Sequence, residues 1–266
     1  MQFDFTYKET WLHKINPSLK LITMMILFLS VLLIHNINFM INYTIITLIL
    51  FILFSGHPLK RVLLIFIPFI FIFVTTATSM IFFGKGDTTW FKWGLVHITE
   101  ESFFRGLHIG FRALTFACLG ITFALTTRPV FLFYSLMQQL KLSPKYAYSF
   151  MAGLRLIPIM IDEFQTIRYA MKVRGVESKR GMKGFYEKLR SYAIPMLSQS
   201  IRRAHRIAVA MEAKRFSQVE NRTYYYHISF SKFDISFVIY FVTMISVAYI
   251  ISNQYPYFPI TDVRYN

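Results

Sequence analysis

The sequence predicts an all-α integral membrane protein, with about five transmembrane helices and two long amphipathic helices on the cytoplasmic side. Three observations carry this prediction. The chain of 266 residues is 55% hydrophobic and 18% aromatic, which is too apolar for a soluble domain. Five apolar windows approach the ~20 residues needed to cross a hydrocarbon core. A basic segment between the fourth and fifth windows shows the spacing of amphipathic helices instead.

The five windows are separated by turn signals. They cover residues 19–35, 40–55, 62–83, 105–127 and 233–252. Gly56 and Pro58 lie between the second and third, Gly84 and Gly86 follow the third, and Pro129 follows the fourth. Glycine and proline end regular elements, so each window is a separate helix.

The distribution of charge predicts the orientation. The chain has 29 Lys and Arg against 13 Asp and Glu, a net charge of +16. Counted from the sequence, residues 141–222 hold 17 basic and 6 acidic residues, so they carry 11 of the excess charges. By the positive-inside rule this segment, the N-terminus and the Lys60-Arg61 turn are cytoplasmic. The turn at Asn36, the loop 84–104 and the C-terminus are then external, which requires an odd number of spans.

Three regions follow: a four-span bundle at 1–128, a cytoplasmic helical region at 129–222, and a final span with its external tail at 223–266. The middle region contains a short helix over 130–141 and then a long helix with Ser143 as its N-cap and Pro144 in its first position. Apolar residues recur along this helix at steps of three and four from Tyr146 to Met171. A second long helix covers about 185–216, with a weaker stripe of mostly small residues. Pro158 and Pro195 predict bends.

The sequence lacks the patterns of a catalytic, cofactor or metal site. It has no glycine-rich phosphate loop that ends in Lys-Ser or Lys-Thr. Its seven histidines have no metal-ligand spacing, and its one cysteine, Cys118, lies in an apolar window. His108 and Arg112 are ionisable residues within the fourth window, and snorkelling to the headgroups accounts for Arg112. We therefore predict that the chain is not itself an enzyme and binds no substrate, cofactor or metal.

The ends of the two long helices are the candidate site. The first ends in Val173-Arg174-Gly175 and the second in Ala213-Lys214-Arg215. Taken alone, Arg174 followed by Gly175 is an ordinary helix C-cap. Two amphipathic helices of similar length that both end in exposed cations favour a contact with another protein.

The sequence resembles the transmembrane T component of energy-coupling factor (ECF) transporters, the group that includes the cobalt-transport permease subunit. The likeness covers nearly the whole chain. Its motifs are the stretch from Leu12 to Lys20, Gly153-Leu154-Arg155-Leu156-Ile157-Pro158, Ile194-Pro195, Ser200-Ile201-Arg202-Arg203-Ala204 and Ala210-Met211-Glu212-Ala213. The family's Ala-Arg-Gly signature is matched at Val173-Arg174-Gly175, and the second copy falls on Ala213-Lys214-Arg215.

The resemblance implies an L-shaped protein in a prokaryotic cell membrane, whose two long helices couple other subunits. These are two ABC-type ATPases at the cytoplasmic face, which use ATP and Mg, and a small membrane subunit that captures a vitamin, a vitamin precursor or a metal ion. Surrounding lipid is implied as a partner, and nucleic acid is not. The implied ATPase contacts are Val173, Arg174, Gly175, Ala213, Lys214 and Arg215. Lys214-Arg215 departs from Arg-Gly, so the second contact is expected to use a shifted geometry or a different ATPase.

Two other interpretations of the residues stay open. A membrane-anchored basic protein would bind anionic lipid or nucleic acid through the same positive charge. A stand-alone secondary transporter would move its substrate through the spans without ATP, although such a protein usually shows more polar or broken spans.

Overall fold

The computed structural model describes residues 8–93, 96–175, 181–216, 223–259 and 262–263. A 3₁₀ helix, Trp11–Lys14, precedes α1 (Pro17–Leu33), α2 (Ile37–Phe54), α3 (Leu59–Phe83), β1 (Thr89–Trp93), β2 (Val96–Thr99) and α4 (Glu100–Thr126). The later helices are α5 (Pro129–Gln139), α6 (Pro144–Val173), α7 (Met182–Ala213) and α8 (Lys232–Gln254). The predicted all-α class is confirmed.

The transmembrane helices lie close to the windows predicted from the sequence. Within the described residues, α2, α3, α4 and α8 are long and apolar enough to cross a membrane. Their ends differ from the predicted ones by at most five residues. With 17 residues, α1 has a length of ~25 Å against a hydrocarbon core of ~30 Å. The first span, like the L-shape, therefore stays a prediction.

The contacts divide the chain into two compact units. The first comprises residues 1–139 and 228–266 and holds α1–α5, the strands and α8. The second comprises 140–227 and holds α6 and α7. Although the predicted cytoplasmic region starts at 129, α5 belongs to the first unit, where its Ser135 hydroxyl bonds Asn16 and Ser18 before α1 and in its first turn.

Apolar side chains from four helices form the main core of the first unit. Tyr43, Leu119, Phe237 and Phe241 are at most 2% exposed within it. A second cluster joins α2, α3 and α4 around Phe51 and Cys118. The core thus holds the spans together without the long helices of the second unit.

Two glycines bring α3 and α4 into close contact. A Cβ at Gly106 would lie 2.6 Å from Ile81 Cγ1, and one at Gly110 would lie 2.9 Å from Phe73 Cε2. The pair is spaced four residues apart, which is the small-residue pattern of close helix packing in membranes. This spacing is visible in the sequence, but the residues around it do not indicate which helix lies against the two glycines.

The loop between α3 and α4, which was predicted to be external, contains an antiparallel hairpin of β1 and β2, with Lys92 opposite His97. Only a loop was predicted here from the sequence. The last residue of the hairpin, Thr99, caps α4, because its Oγ1 accepts from the Ser102 N–H at 3.2 Å and its own N–H donates to Ser102 Oγ at 3.0 Å. The hairpin therefore sets where α4 begins.

Arg112, for which the sequence suggested snorkelling, has a partner at the end of a neighbouring helix. Its Nη2 donates to the carbonyl of Ile34 at 2.7 Å. Ile34 is the C-cap of α1, so the guanidinium satisfies one of the carbonyls that a helix end leaves without a partner. The guanidinium therefore links α4 to the end of α1.

Candidate functional site

The C-terminus of α6 presents Arg174 one residue beyond the helix. Val173 is 86% exposed and is the last helical residue. The Arg174 N–H donates to Ala170 O at 3.0 Å, and the Gly175 N–H donates to Lys172 O at 3.2 Å. Gly175 has φ +66, in the left-handed region that glycine adopts without a steric penalty. Arg174, whose side chain is exposed, is thereby held by a standard cap.

The C-terminus of α7 ends with the same type of turn. The Lys214 N–H donates to Ala210 O at 3.3 Å, the Arg215 N–H to Glu212 O at 2.8 Å and the Phe216 N–H to Met211 O at 3.0 Å. The last two bonds form a Schellman motif. Arg215 has φ +53, which costs about 1–2 kcal/mol for a residue with a Cβ.

Arg215 therefore takes the position in the turn that Gly175 takes in α6. Lys214 correspondingly matches Arg174, and Ala213 matches Val173. Losing the glycine does not remove the cap, because the arginine itself adopts the left-handed conformation. The backbone at the second end is not shifted, and what differs is the side chain, which adds a second exposed cation.

The two helices contact each other near their middle. The guanidinium of Arg203 pairs with the carboxylate of Glu163, whose side chain is only 16% exposed. Ser200 Oγ lies 3.4 Å from Met160 Sδ. From Met160 to Val173 and from Ser200 to Ala213 the chain runs 13 residues, or ~20 Å of helical rise, and we call these two segments, 160–173 and 200–213, the arms. The site thus has two arms of equal length.

A ring contact holds the end of α7 in place. Phe216 packs edge-on against Tyr148 of α6, with the ring centroids 5.3 Å apart. Phe216 immediately follows the Arg215 turn, so the contact restrains the position of both cations. At the other side of the crossing, Phe164 and Tyr192 pack with centroids 5.2 Å apart.

Much of the predicted apolar stripe of α6 is not covered by α7. Tyr146, Phe150, Ile157 and Ile161 are each more than half exposed. On α7, Ile194, Leu197 and Ile201 are also more than half exposed. These seven side chains, which we call the open stripe, leave an apolar surface in the second unit that a monomeric soluble protein rarely shows.

In the first unit, the residues of the N-terminal motif join a buried polar cluster. We call Asn16, Ser18, Lys20, Thr126, Ser135 and Asp234 the polar cluster; each of them is buried. Lys20 Nζ donates to Leu12 O at 2.5 Å and to Thr126 O at 3.1 Å. Asp234 accepts from the N–H of Asn16 at 2.7 Å and of Ser231 at 2.6 Å.

The chain leaves and re-enters the first unit next to this cluster. Ile228 N–H donates to Gln138 Oε1 at 3.0 Å, and Gln139 Nε2 donates to Ile228 O at 3.4 Å. Ser135 of the polar cluster lies 3.2 Å from Gln139 Oε1. These bonds join the last turn of α5 to the segment that precedes α8, so the two connections are held together.

No described group of three or more His, Cys, Asp or Glu could hold a metal ion. Cys118, the one cysteine of the sequence, is buried in the second cluster of the core. What the described site does present is exposed cations at two helix ends and the apolar side chains of the open stripe.

Comparison with known proteins decides the family. Residues 8–225 match the model of the CbiQ family, described as cobalt transport protein. The chain belongs to this family. The match includes the N-terminal motif, the polar cluster except Asp234, and both arms.

Several relatives of this CbiQ-family chain are energy-coupling factor transporter transmembrane proteins named EcfT. One from Ruminiclostridium cellulolyticum is 28% identical over 260 residues, which cover 93% of this chain and 94% of the relative. One from Streptococcus thermophilus is 30% identical over 232 residues, 82% and 85% of the two chains. The resemblance to the ECF T component is thereby confirmed, and the protein is a transport component of the membrane.

Proposed function

We propose that this CbiQ-family chain transmits movement from two cytoplasmic ATPases to a small substrate-capture subunit in the membrane. The cargo would be a vitamin, a vitamin precursor or a metal ion. ATP and Mg would be used by the ATPases, so this chain would have no catalytic activity of its own. It would lie in a prokaryotic cell membrane, with its N-terminus cytoplasmic and its C-terminus external.

One observation carries the proposal: two arms of equal length end in exposed cations held by the same turn. A pair of related ATPases would require two similar contacts at a fixed separation. Arg174 offers a planar guanidinium that can bind a carboxylate through two hydrogen bonds. Lys214 offers a single charged group, and Arg215 a guanidinium one residue later, so the second ATPase contact would differ in detail.

The contacts within the second unit support a lever. Both long helices are continuous, and the pair of Glu163 and Arg203 ties α6 to α7 near their middle. Displacing either end would therefore move both helices and the open stripe with them. That stripe is apolar and suits a partner that is itself a membrane protein, which is the nature of the capture subunit.

The test compares Arg174→Glu with Arg168→Glu, a charge reversal on an exposed residue of the same helix, six positions earlier. We expect Arg174→Glu to abolish substrate uptake and to weaken co-purification of the ATPases at least tenfold, with normal membrane insertion. Arg168→Glu should retain both. Unchanged uptake in Arg174→Glu would refute the coupling role.

The same preparation separates the two other interpretations. Lipid or nucleic acid that co-purifies with no ATPase would support the membrane-anchored basic protein. Transport in vesicles of the purified chain without ATP would support a secondary transporter. Either result would contradict the proposal.

A further inference from the structure

Two neighbouring glutamine side chains hold the main chain of a single residue in the first unit. The N–H of Ile228 donates to Gln138 Oε1 at 3.0 Å, and Gln139 Nε2 donates to the carbonyl of Ile228 at 3.4 Å. Ile228 forms no hydrogen bond with another main-chain group of the described residues. The two side-chain amides therefore satisfy both of its main-chain groups. We call Gln138, Gln139 and Ile228 the clasp.

The clasp lies next to the beginnings of two helices. Ser135, which is 0% exposed, lies 3.2 Å from Gln139 Oε1 and bonds Asn16, the N-cap of α1. On the other side of the clasp, Ser231 is the N-cap of α8 and follows Ile228 by only three positions. A force on the clasp would therefore reach the first turns of both α1 and α8.

The two connections between the units differ in length. Residues 140–143 join α5 to α6, and four residues reach at most ~14 Å when extended. Residues 214–231 join α7 to α8, and this number of residues can reach about 60 Å. The longer connection would by its length alone absorb a displacement of α7. Because Ile228 is bonded to the last turn of α5, however, both connections are fixed to the first unit at the same place.

We propose that the clasp passes movement of the second unit to the starts of α1 and α8. This role rests on the proposed function, in which the ATPases drive that movement. A pull through the short connection reaches Gln139, and a pull through the long connection reaches Ile228. Without the two bonds, the second pull would be taken up by the residues between Ile228 and α8. Gln138 and Gln139 are thus positioning residues, which act through Ile228.

The test uses the complete complex of this chain, the ATPases and the capture subunit in lipid vesicles, and measures substrate uptake per ATP hydrolysed. The double variant Gln138→Met with Gln139→Met nearly keeps the side-chain lengths and removes both bonds to Ile228. We expect its uptake per ATP to fall roughly fivefold or more, while the ATPases co-purify and hydrolyse ATP as in the unchanged complex. Gln254→Met, the same exchange at the exposed last residue of α8, is the matched control and should change none of these.

Two single variants separate the hydrogen bond from the rest of the side chain. Gln138→Glu keeps an oxygen that accepts from the N–H of Ile228 and should retain most of the uptake per ATP. Gln138→Met removes this acceptor and should give a value between those of Gln138→Glu and the double variant. Amide exchange at Ile228, followed by mass spectrometry, should become about fivefold faster in Gln138→Met only.

Normal uptake per ATP in the double variant would overturn the proposal, and so would an equal loss in Gln254→Met or in Gln138→Glu. Protection of Cys118 from thiol reagents shows whether the bundle is intact. If the double variant loses this protection, Gln138→Met and Gln138→Glu decide, and equal uptake per ATP in these two overturns the proposal. Absence of ATP-driven uptake by the unchanged complex would instead refute the proposed function, and this role with it.

Discussion

Replacing Lys20 by methionine is expected to make the membrane bundle open much more often. Lys20 is 1% exposed and its ammonium group donates to the carbonyls of Leu12 and Thr126. Thr126 is the last residue of α4, so one of these bonds satisfies a helix end. Methionine keeps the length of the side chain and removes the donors. The buried carbonyls of Leu12 and Thr126 are then left without this donor.

The magnitude follows from these two bonds. A buried acceptor without a partner costs about 1–3 kcal/mol, so the two together cost about 2–6 kcal/mol. The methionine recovers part of this through burial of its apolar atoms, about 1–3 kcal/mol. The midpoints of the two ranges leave a net loss of about 2 kcal/mol in the free energy of opening, which is a factor of roughly 30 in the open population.

Cys118 provides the assay. It is the one cysteine in the sequence and is 0% exposed in the first unit. A thiol reagent at low concentration labels it only in open molecules, so the labelling rate reports the opening equilibrium when reclosing is fast. The unchanged protein and Lys20→Met are compared in the same detergent, with exposed Lys60→Met as the control.

The expected result is that Lys20→Met is labelled roughly 30 times faster and Lys60→Met at about the rate of the unchanged protein. Equal rates for Lys20→Met and Lys60→Met would refute the structural role of the ammonium group. Faster labelling of both variants would instead show that any lysine in these turns has the same effect, which also contradicts that role.

Three further predictions concern the arms and the N-terminal turn. Arg215→Gly removes a Cβ from the left-handed region and should slow amide exchange at the end of α7 about fivefold; faster exchange would contradict this. Glu163 and Arg203 should show a coupling energy of about 1 kcal/mol in a double-mutant cycle, against zero if the pair is incidental. Burial, and next the charge of Lys20, lowers the pKa of His13, so protonation favours the unfolded chain. Stability should be full above pH ~6.5 and fall as the pH drops toward the lowered value, and His13→Gln should flatten this dependence in thermal unfolding.

The positions of the helices could be predicted because their signals are local. Apolar windows, glycines, prolines and caps act over a few residues, and Ser143, Pro144 and Gly175 stand at helix ends where the sequence placed them. The hairpin between α3 and α4 was missed because short strands have weaker local signals than a span. In its strands, the order of polar and apolar residues does not differ from that of an ordinary loop.

The burial of Lys20 could not be predicted from its neighbours in the sequence. The positive-inside rule counts the N-terminal lysines together as cytoplasmic charges, yet Lys20 lies inside the bundle and Lys14 on its surface. Nothing in the adjacent residues distinguishes them, because the acceptors of Lys20 include Thr126, more than a hundred positions away. The same holds for Arg112, whose acceptor is Ile34.

For the two arms, too, the sequence and the fold supplied different information. Residue types alone established that two amphipathic helices end in cations and that the second end lacks a glycine. The fold established that Arg215 adopts the left-handed turn nonetheless, that Glu163 and Arg203 lie where the helices meet, and that the side chains of the open stripe are more than half exposed. Periodicity assigns a side chain to a face of its helix, whereas the neighbour of that face depends on contacts between distant parts of the chain.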